Sequence, residues 1–278
     1  MTAGPNITSA SGLRRIQAFA LSTTGVPDGD QSGADGYDGV NVEGARSFAL
    51  TVPGITRVQH IGNDRLLAQD FLPATEGASG TITTAKQNLS LDATLTDTLI
   101  ETIGETTVGG LLTNKQGSEI DVCIIAYRQA LDTTEGAQQL RRWQTHMFPV
   151  GRMVPRAGSA EQGGADENSY DIIPTVSTKY PFGHAFADAA GDEGFTEAQY
   201  LRFTSEYPPV MERWTGNNTL TTFNLNWTPI SVAKTTIYVN GTAAVVSSVD
   251  TVAKTATVSV APANASEVVA WYETSDDI

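Results

Sequence analysis

The chain has little charge and almost no cysteine. Only 17% of its 278 residues are Asp, Glu, Lys or Arg, against a usual share of about 25%. Its polar surface must therefore come largely from Thr, Ser, Asn, Gln and Gly. A single cysteine, Cys123, excludes an internal disulfide. It sits in an apolar run, residues 120–127, and reads as a small buried hydrophobe. Basic residues are scarcest: 17 Lys and Arg face 31 Asp and Glu, for a net charge of −14 and a pI near 4.5. A protein that grips nucleic acid by its phosphates needs a basic surface, so tight DNA or RNA binding is not expected. No apolar run reaches the roughly 18 residues of a membrane span. Met1 to Asn6 has no basic stretch leading into an apolar one, so no signal peptide is expected. These absences describe a soluble protein folded in a reducing cytoplasm. The Gly-x-Ser-x-Gly elbow, the phosphate-cradling Gly-x-x-x-x-Gly-Lys, a fixed-period repeat and heptads are missing too.

What the sequence does have is turn chemistry and strand formers. Its 26 glycines and 12 prolines punctuate short, Thr-rich segments, which is the pattern of a mainly β chain. Residues 13–21 read as a first strand. Residues 22–44 are almost wholly acidic turn sequence, a connection long enough to be functional or mobile. Residues 47–52, 55–61 and 80–84 alternate as strands. Leu91, Leu95, Leu99 and Ile103 then recur every four residues, which predicts one face of an amphipathic helix stopped at Gly104. Residues 118–130 are apolar enough to be a strand buried on both faces. Residues 137–150 read either as a short helix or as the return strand of a hairpin. Pro174 assigns residues 169–180 to a sheet edge, and a short helical piece is expected around residues 195–203. After the break at Tyr207-Pro208-Pro209 the charges thin out and strands come at short, even spacing, with Asn240-Gly241 as a strong hairpin signal. The division expected is therefore residues 1–210 and a small β-sandwich of residues 211–278.

No catalytic set stands out. Asp28, Asp30 and Gly33 match the opening of a calcium loop, with Asp35 and Asp38 nearby. The twelfth position is Gly39, where such a loop needs a bidentate Glu, so an acidic loop is the expectation and no metal is assigned. His60, His146 and His184 lack partners at ligand spacing. The carboxylate pairs Glu101 with Glu105 and Asp192 with Glu193 read as solvated charge rather than a glycosidase pair. Neither enzyme activity nor a cofactor is expected. Arg141, Arg142, Arg152 and Arg156 cluster the scarce positive charge. In an acidic protein such a patch is expected to meet the acidic residues of a neighbouring copy, among them Asp28, Asp30, Asp35 and Asp38.

The order of elements resembles a known family. Val58-Gln59-His60-Ile61-Gly62-Asn63-Asp64, Leu72-Pro73, Gly80-Thr81-Ile82 and the leucine-spaced segment from Leu91 to Ile103 look like the tail tube proteins of long-tailed bacteriophages, whose fold the tubes of type VI secretion systems share. The final third, through Phe223-Asn224-Leu225 and Ile237-Tyr238-Val239-Asn240-Gly241, looks like the immunoglobulin-like modules appended to virion proteins. The resemblance implies a β-sandwich or barrel with a flanking α-helix, packed through Leu91, Leu95, Leu99 and Ile103, plus a small exterior immunoglobulin-like sandwich. It implies a structural virion protein in the tail, assembled in the host cytoplasm as stacked, hexameric rings around a channel for DNA. Its partners would be copies of itself, other tail proteins and DNA in transit, with no membrane insertion. The loops at residues 22–44 and 156–168 would make contacts between rings. The alternative is a tail tip, fibre or adhesin component that binds a cell-surface glycan, suggested by the immunoglobulin-like end and by Trp214, Trp227 and Trp271, expected to be exposed.

Overall fold

The structure, a computed structural model, describes residues 7–28, 33–52, 56–62, 65–72, 77–85, 91–92, 99–103, 106–111, 120–132, 141–156, 168–175, 177, 179–184 and 199–278. Alternating apolar and polar residues make the first two thirds a sequence of antiparallel strands. These are β1 (Ile7–Ala20), β2 (Val40–Asn41), β3 (Ala45–Thr51), β4 (Thr56–Gly62), β5 (Arg65–Leu72), β6 (Ser79–Thr84), β7 (Leu99–Ile103), β8 (Thr106–Leu111), β9 (Val122–Asp132), β10 (Arg141–Pro155), β11 (Asn168–Pro174) and β12 (Leu201–Ser205). Eight of them form one sheet in the order β2-β1-β9-β10-β11-β6-β3, with β12 also paired to β10. The pairs β4–β5 and β7–β8 are separate hairpins.

The long strand β10 bends the sheet. Its first part pairs with β9 and β12, its last part with β11, and the β9–β10 register shifts between Phe148 and Gly151. Pro149, which has no N–H to give a ladder, falls inside that irregularity. The bend rolls the sheet until Phe48 of the far edge lies 6.2 Å from Phe148 in an edge-to-face contact. The interior this encloses is apolar: Ile16, Ala18, Ile82, Ile124, Phe148 and Ile172 are all buried, and Leu91 joins them. Each such side chain contributes ~1.5–3 kcal/mol when fully buried.

The last third forms two sheets. Strands β13 (Pro209–Thr215), β15 (Thr235–Val239), β16 (Thr242–Ala244) and β19 (Glu267–Glu273) make one, in the order β13-β19-β15-β16. Strands β14 (Thr222–Asn224), β17 (Val246–Asp250) and β18 (Thr255–Val258) make the other. Their facing sides meet in a core around Trp214, Phe223, Ile237, Ala256 and Tyr272, so this is a β-sandwich. Asn240 and Gly241, at φ +48° and +78°, form the two-residue turn between β15 and β16, as their sequence predicts.

A third apolar layer joins the two parts. The outer face of β1, β9 and β10 presents Phe19, Cys123, Ile125, Tyr127, Trp143 and Met147, and the outer face of the sandwich answers with Met211 and Val269. Phe182 fills the space between, stacked 4.5 Å from Tyr238 and 4.7 Å from Tyr180, with Trp271 at 6.1 Å. Beside it Gly183 and Gly241 meet backbone to backbone: a Cβ on Gly241 would lie 2.3 Å from the Gly183 carbonyl oxygen. Strand β9 is thus buried on both faces, as expected, with Val122, Ile124 and Ala126 on one side and Cys123, Ile125 and Tyr127 on the other.

The mainly β class stands, and several local expectations do not. The predicted helix does not run to Ile103. Leu91 and Asp92 are helical, Leu95 lies outside the described residues, and Leu99–Ile103 is a strand paired to Thr106–Leu111. Leu99-Ile100-Glu101-Thr102-Ile103 alternates as well as it spaces by four, and its β-branched residues favour the strand. Residues 137–150 resolve as strand from Arg141 onward, and Leu201–Ser205 is strand where a helical piece was expected. Strand β11 is not an edge: it pairs with both β10 and β6, because Pro174 is its last residue and interrupts no ladder. The Tyr207-Pro208-Pro209 break is followed at once by β13, which opens the sandwich.

The aromatic layer makes the two parts unfold together. Phe182→Ala is expected to lower stability by about 3 kcal/mol and to split one calorimetric transition into two. A single unbroken transition at unchanged midpoint would count against that role.

Candidate functional site

The acidic connection of residues 22–44 is not a free loop over its described part. Residues 34–38 run between the rolled sheet and the sandwich as a strap. Tyr37 exchanges two backbone hydrogen bonds with Arg213 of β13, at 3.0 and 2.9 Å. The Asn224 N–H donates to the Ala34 carbonyl at 2.8 Å, and the Trp214 indole N–H donates to the same oxygen at 3.0 Å. The Asn226 side-chain amide donates to the Gly36 carbonyl at 2.8 Å. Only glycine fits at position 36: a Cβ there would lie 2.2 Å from Glu212 Oε2 and 2.5 Å from the Trp214 ring. On the other side Gln17 donates to the Asp38 carbonyl and accepts from the Tyr127 hydroxyl at 2.9 Å, so this buried row of β1 and β9 is satisfied.

Two charged side chains stand where the strap crosses, Arg15 partly buried and Glu212 fully. Arg15 of β1 places its guanidinium 4.6 Å above the Trp227 ring and pairs with the Asp38 carboxylate at 3.4 Å. This is a cation–π contact with an ion pair at its rim. Glu212 of β13 is fully buried. It accepts hydrogen bonds from the Tyr272 hydroxyl and from the Asn226 N–H, the latter at 3.1 Å. Burial drives its carboxyl up from the ordinary 4.5 to about 7, against the opposing pull of the Tyr272 and Asn226 donors, and Asp38 adds to the rise. Burial first, then the Glu212 charge, raises the Tyr272 hydroxyl in turn.

The residues singled out in the sequence are scattered. Asp35 accepts from the Asn224 side chain at 2.9 Å, Asp38 turns to Arg15, Asp28 is exposed, and Asp30 lies outside the described residues. Among the described residues no group of three or more His, Cys, Asp or Glu could hold a metal ion. Along β10 and just beyond it, Arg142 pairs with Glu206 at 3.9 Å, Arg152 with Asp121 at 3.5 Å and Arg156 with Asp171 at 2.5 Å. Arg141 is described only by its backbone pairing to Leu131. Glu101 is a residue of β7, while Glu105, Asp192 and Glu193 lie outside the described residues. Cys123 is fully buried, which pushes its thiol up and away from reactivity. The tryptophans are not an exposed set. Trp214 is fully buried in the sandwich core, Trp227 lies under Arg15, and Trp271 packs against Phe182 and, at 5.4 Å, Phe203.

Glu212 was not legible as a site, although a signal exists. Val210, Glu212 and Trp214 fall on one face at period two, which puts the carboxylate in an apolar row. Among the described residues no helix is long and apolar enough to cross a membrane. The chain matches no family model, no curated protein and no solved structure.

Because the folded state holds Glu212 above its unfolded value, it binds the extra proton between about pH 4.5 and 7. Stability from this group is present at low pH and is lost as pH rises through 7, by roughly 3 kcal/mol in all. Glu212→Gln should flatten that slope, leaving the variant more stable than the parent at pH 8 and close to it at pH 5. Denaturant midpoints measured at the two pH values check this, and an identical slope in parent and variant would remove Glu212 from the account.

Proposed function

We propose that this chain is a structural subunit that polymerises into rings and a stacked tube of the phage-tail kind, around a channel through which DNA passes. The observation that carries the reading is the form of the N-terminal half. Its rolled sheet ends in two strands, β2 and β3, each with a single partner, and the hairpins β4–β5 and β7–β8 pair with nothing else among the described residues. A closed monomeric barrel has no edges to offer. Sheet ends and hairpins joined to no larger sheet are what a subunit needs to join its neighbours around a symmetry axis and to reach the next ring. A net charge of −14 suits a channel that must let phosphates slide without holding them. The sandwich of residues 209–278 would sit outside the tube. Its partners would be copies of this chain, other tail proteins and DNA in transit.

The glycan-binding alternative draws on the immunoglobulin-like end and on exposed tryptophans. With Trp214 in a core, Trp227 covered by Arg15 and Trp271 in the aromatic layer, it has no specific observation in its favour.

Electron microscopy of the concentrated protein should reveal rings with a central channel and tubes built from them. Replacing residues 56–72 by a short Gly-Ser linker should leave rings and abolish tubes. A protein that stays monomeric at every concentration would refute the assignment.

A further inference from the structure

The interior face of the rolled sheet changes character along its length. Apolar through Ile124, Ala126 and Phe148, it continues as Gln144 and His146 on β10, flanked by Arg128 on β9 and Arg202 on β12. The register places Arg202 opposite His146 and Arg128 opposite Gln144, so all four share one face. Strand β3 brings Arg46, Ser47 and Phe48 to the same place across the seam where the ends of the sheet approach. There lies a cleft of about 240 Å³, whose walls are Arg46, Ser47, Phe48, Arg128 and His146 with Gly12, Leu13 and Ala126.

This cleft concentrates positive charge in a chain of net charge −14. Four other arginines of the sheet and its margin, Arg15, Arg142, Arg152 and Arg156, face carboxylates. Among the described residues no carboxylate pairs with Arg128 or Arg202. The charge is the arginines' own. Burial, then Arg128 and Arg202, hold His146 well below its ordinary value, at about 4, so its ring is neutral at physiological pH. Its Nε2 faces the Gln144 carbonyl oxygen at 3.3 Å, which can only accept, so Nε2 carries the proton and Nδ1 accepts from the Tyr200 hydroxyl. The stacked His146 and Tyr200 rings, 5.7 Å apart, and Phe48 at 5.9 Å from His146 form a rigid aromatic wall.

From this geometry we infer that the seam cleft is a binding site for a small oxyanion, a phosphate or carboxylate group, held by Arg128 with Arg46 and Ser47 at its sides, and with Arg202 beside His146 on the same face. Guanidinium groups match such oxygens in pairs, and in a half-buried cleft the hydrogen bonds are charge-assisted. An anion would also offset the positive charge that Arg128 and Arg202 place beside His146.

The test is calorimetric titration of the full chain with sodium phosphate and, separately, with sodium acetate, each against sodium chloride of equal ionic strength. Saturable binding of one anion per chain is expected, with about a tenfold loss of affinity in Arg128→Gln and none in Arg152→Gln, whose guanidinium has its own carboxylate. Phosphate binding alone would assign the site to a phosphate group. Binding of both anions would admit a carboxylate, such as an acidic side chain of another copy, and either result upholds the site. Should Arg128→Gln fail to fold, Arg202→Gln, an exposed position, is expected to weaken binding in its place. No saturable binding of either anion, or unchanged affinity in the arginine variant, would overturn the inference.

Discussion

The structure depends on one apolar layer: the sheet of Phe19, Ile125, Tyr127 and Met147 that must be covered by Met211, Val269 and the rings around Phe182. Everything else follows from having to bury that face. Strand β9 can be apolar from Val122 to Tyr127 because it has a core on each side. In the same way β19 turns Val268, Ala270 and Tyr272 into the sandwich and Val269 and Trp271 toward the rolled sheet. A division of the chain near residue 210 therefore separates two sheet systems, while the energy that holds them crosses the division. The hydrophobic effect is indifferent to chain order, and here the apolar area lies on both sides of the boundary.

The polar groups are arranged around that constraint. Residues 34–38 close the margin of the layer by offering backbone carbonyls to Trp214, Asn224 and Asn226. Their acidic side chains find Asn224 and Arg15. Glu212 is the cost of this arrangement, a carboxylate taken wholly out of water with donors that only partly offset its desolvation. On the inner face of the rolled sheet Arg128 and Arg202 present the reverse case, cations without carboxylate partners among the described residues. The proposed tube subunit would thus use its strap side to hold itself together and keep its sheet ends for neighbours.

Much of the fold was legible because it rests on local pattern. The alternation of residues 13–21, the two-sided burial of residues 122–127 and the Asn240-Gly241 turn each follow from short-range chemistry. The failures came where a local pattern had two readings. Leu91, Leu95, Leu99 and Ile103 fit a helix by spacing, while Leu99 to Ile103 fit a strand by alternation, and pairing with Thr106–Leu111 decided it. Pro174 read as an edge signal because its position at the end of a strand is set by tertiary pairing. The strap was invisible as such: acidic turn sequence looks the same docked or free, and its partners are nearly two hundred residues away. Glu212 and Arg15 were passed over because a lone charge in an alternating strand is usually solvated, and only a count of its face-mates distinguishes the buried case.

The placement of the covering strands at the far end of the chain sets a timetable for synthesis. Strands β1, β9 and β10 have left the ribosome while β13, β15 and β19 are still being translated, at roughly 5–20 residues per second. For several seconds the nascent protein carries a broad, uncovered apolar sheet face, with Phe19, Ile125 and Met147 in water. That interval is the one in which two unfinished chains could stick to each other in the wrong way, or a chaperone could hold one. Accumulated negative charge, with 31 acidic residues spread along the chain, gives neighbouring nascent chains a reason to stay apart until the last strand arrives.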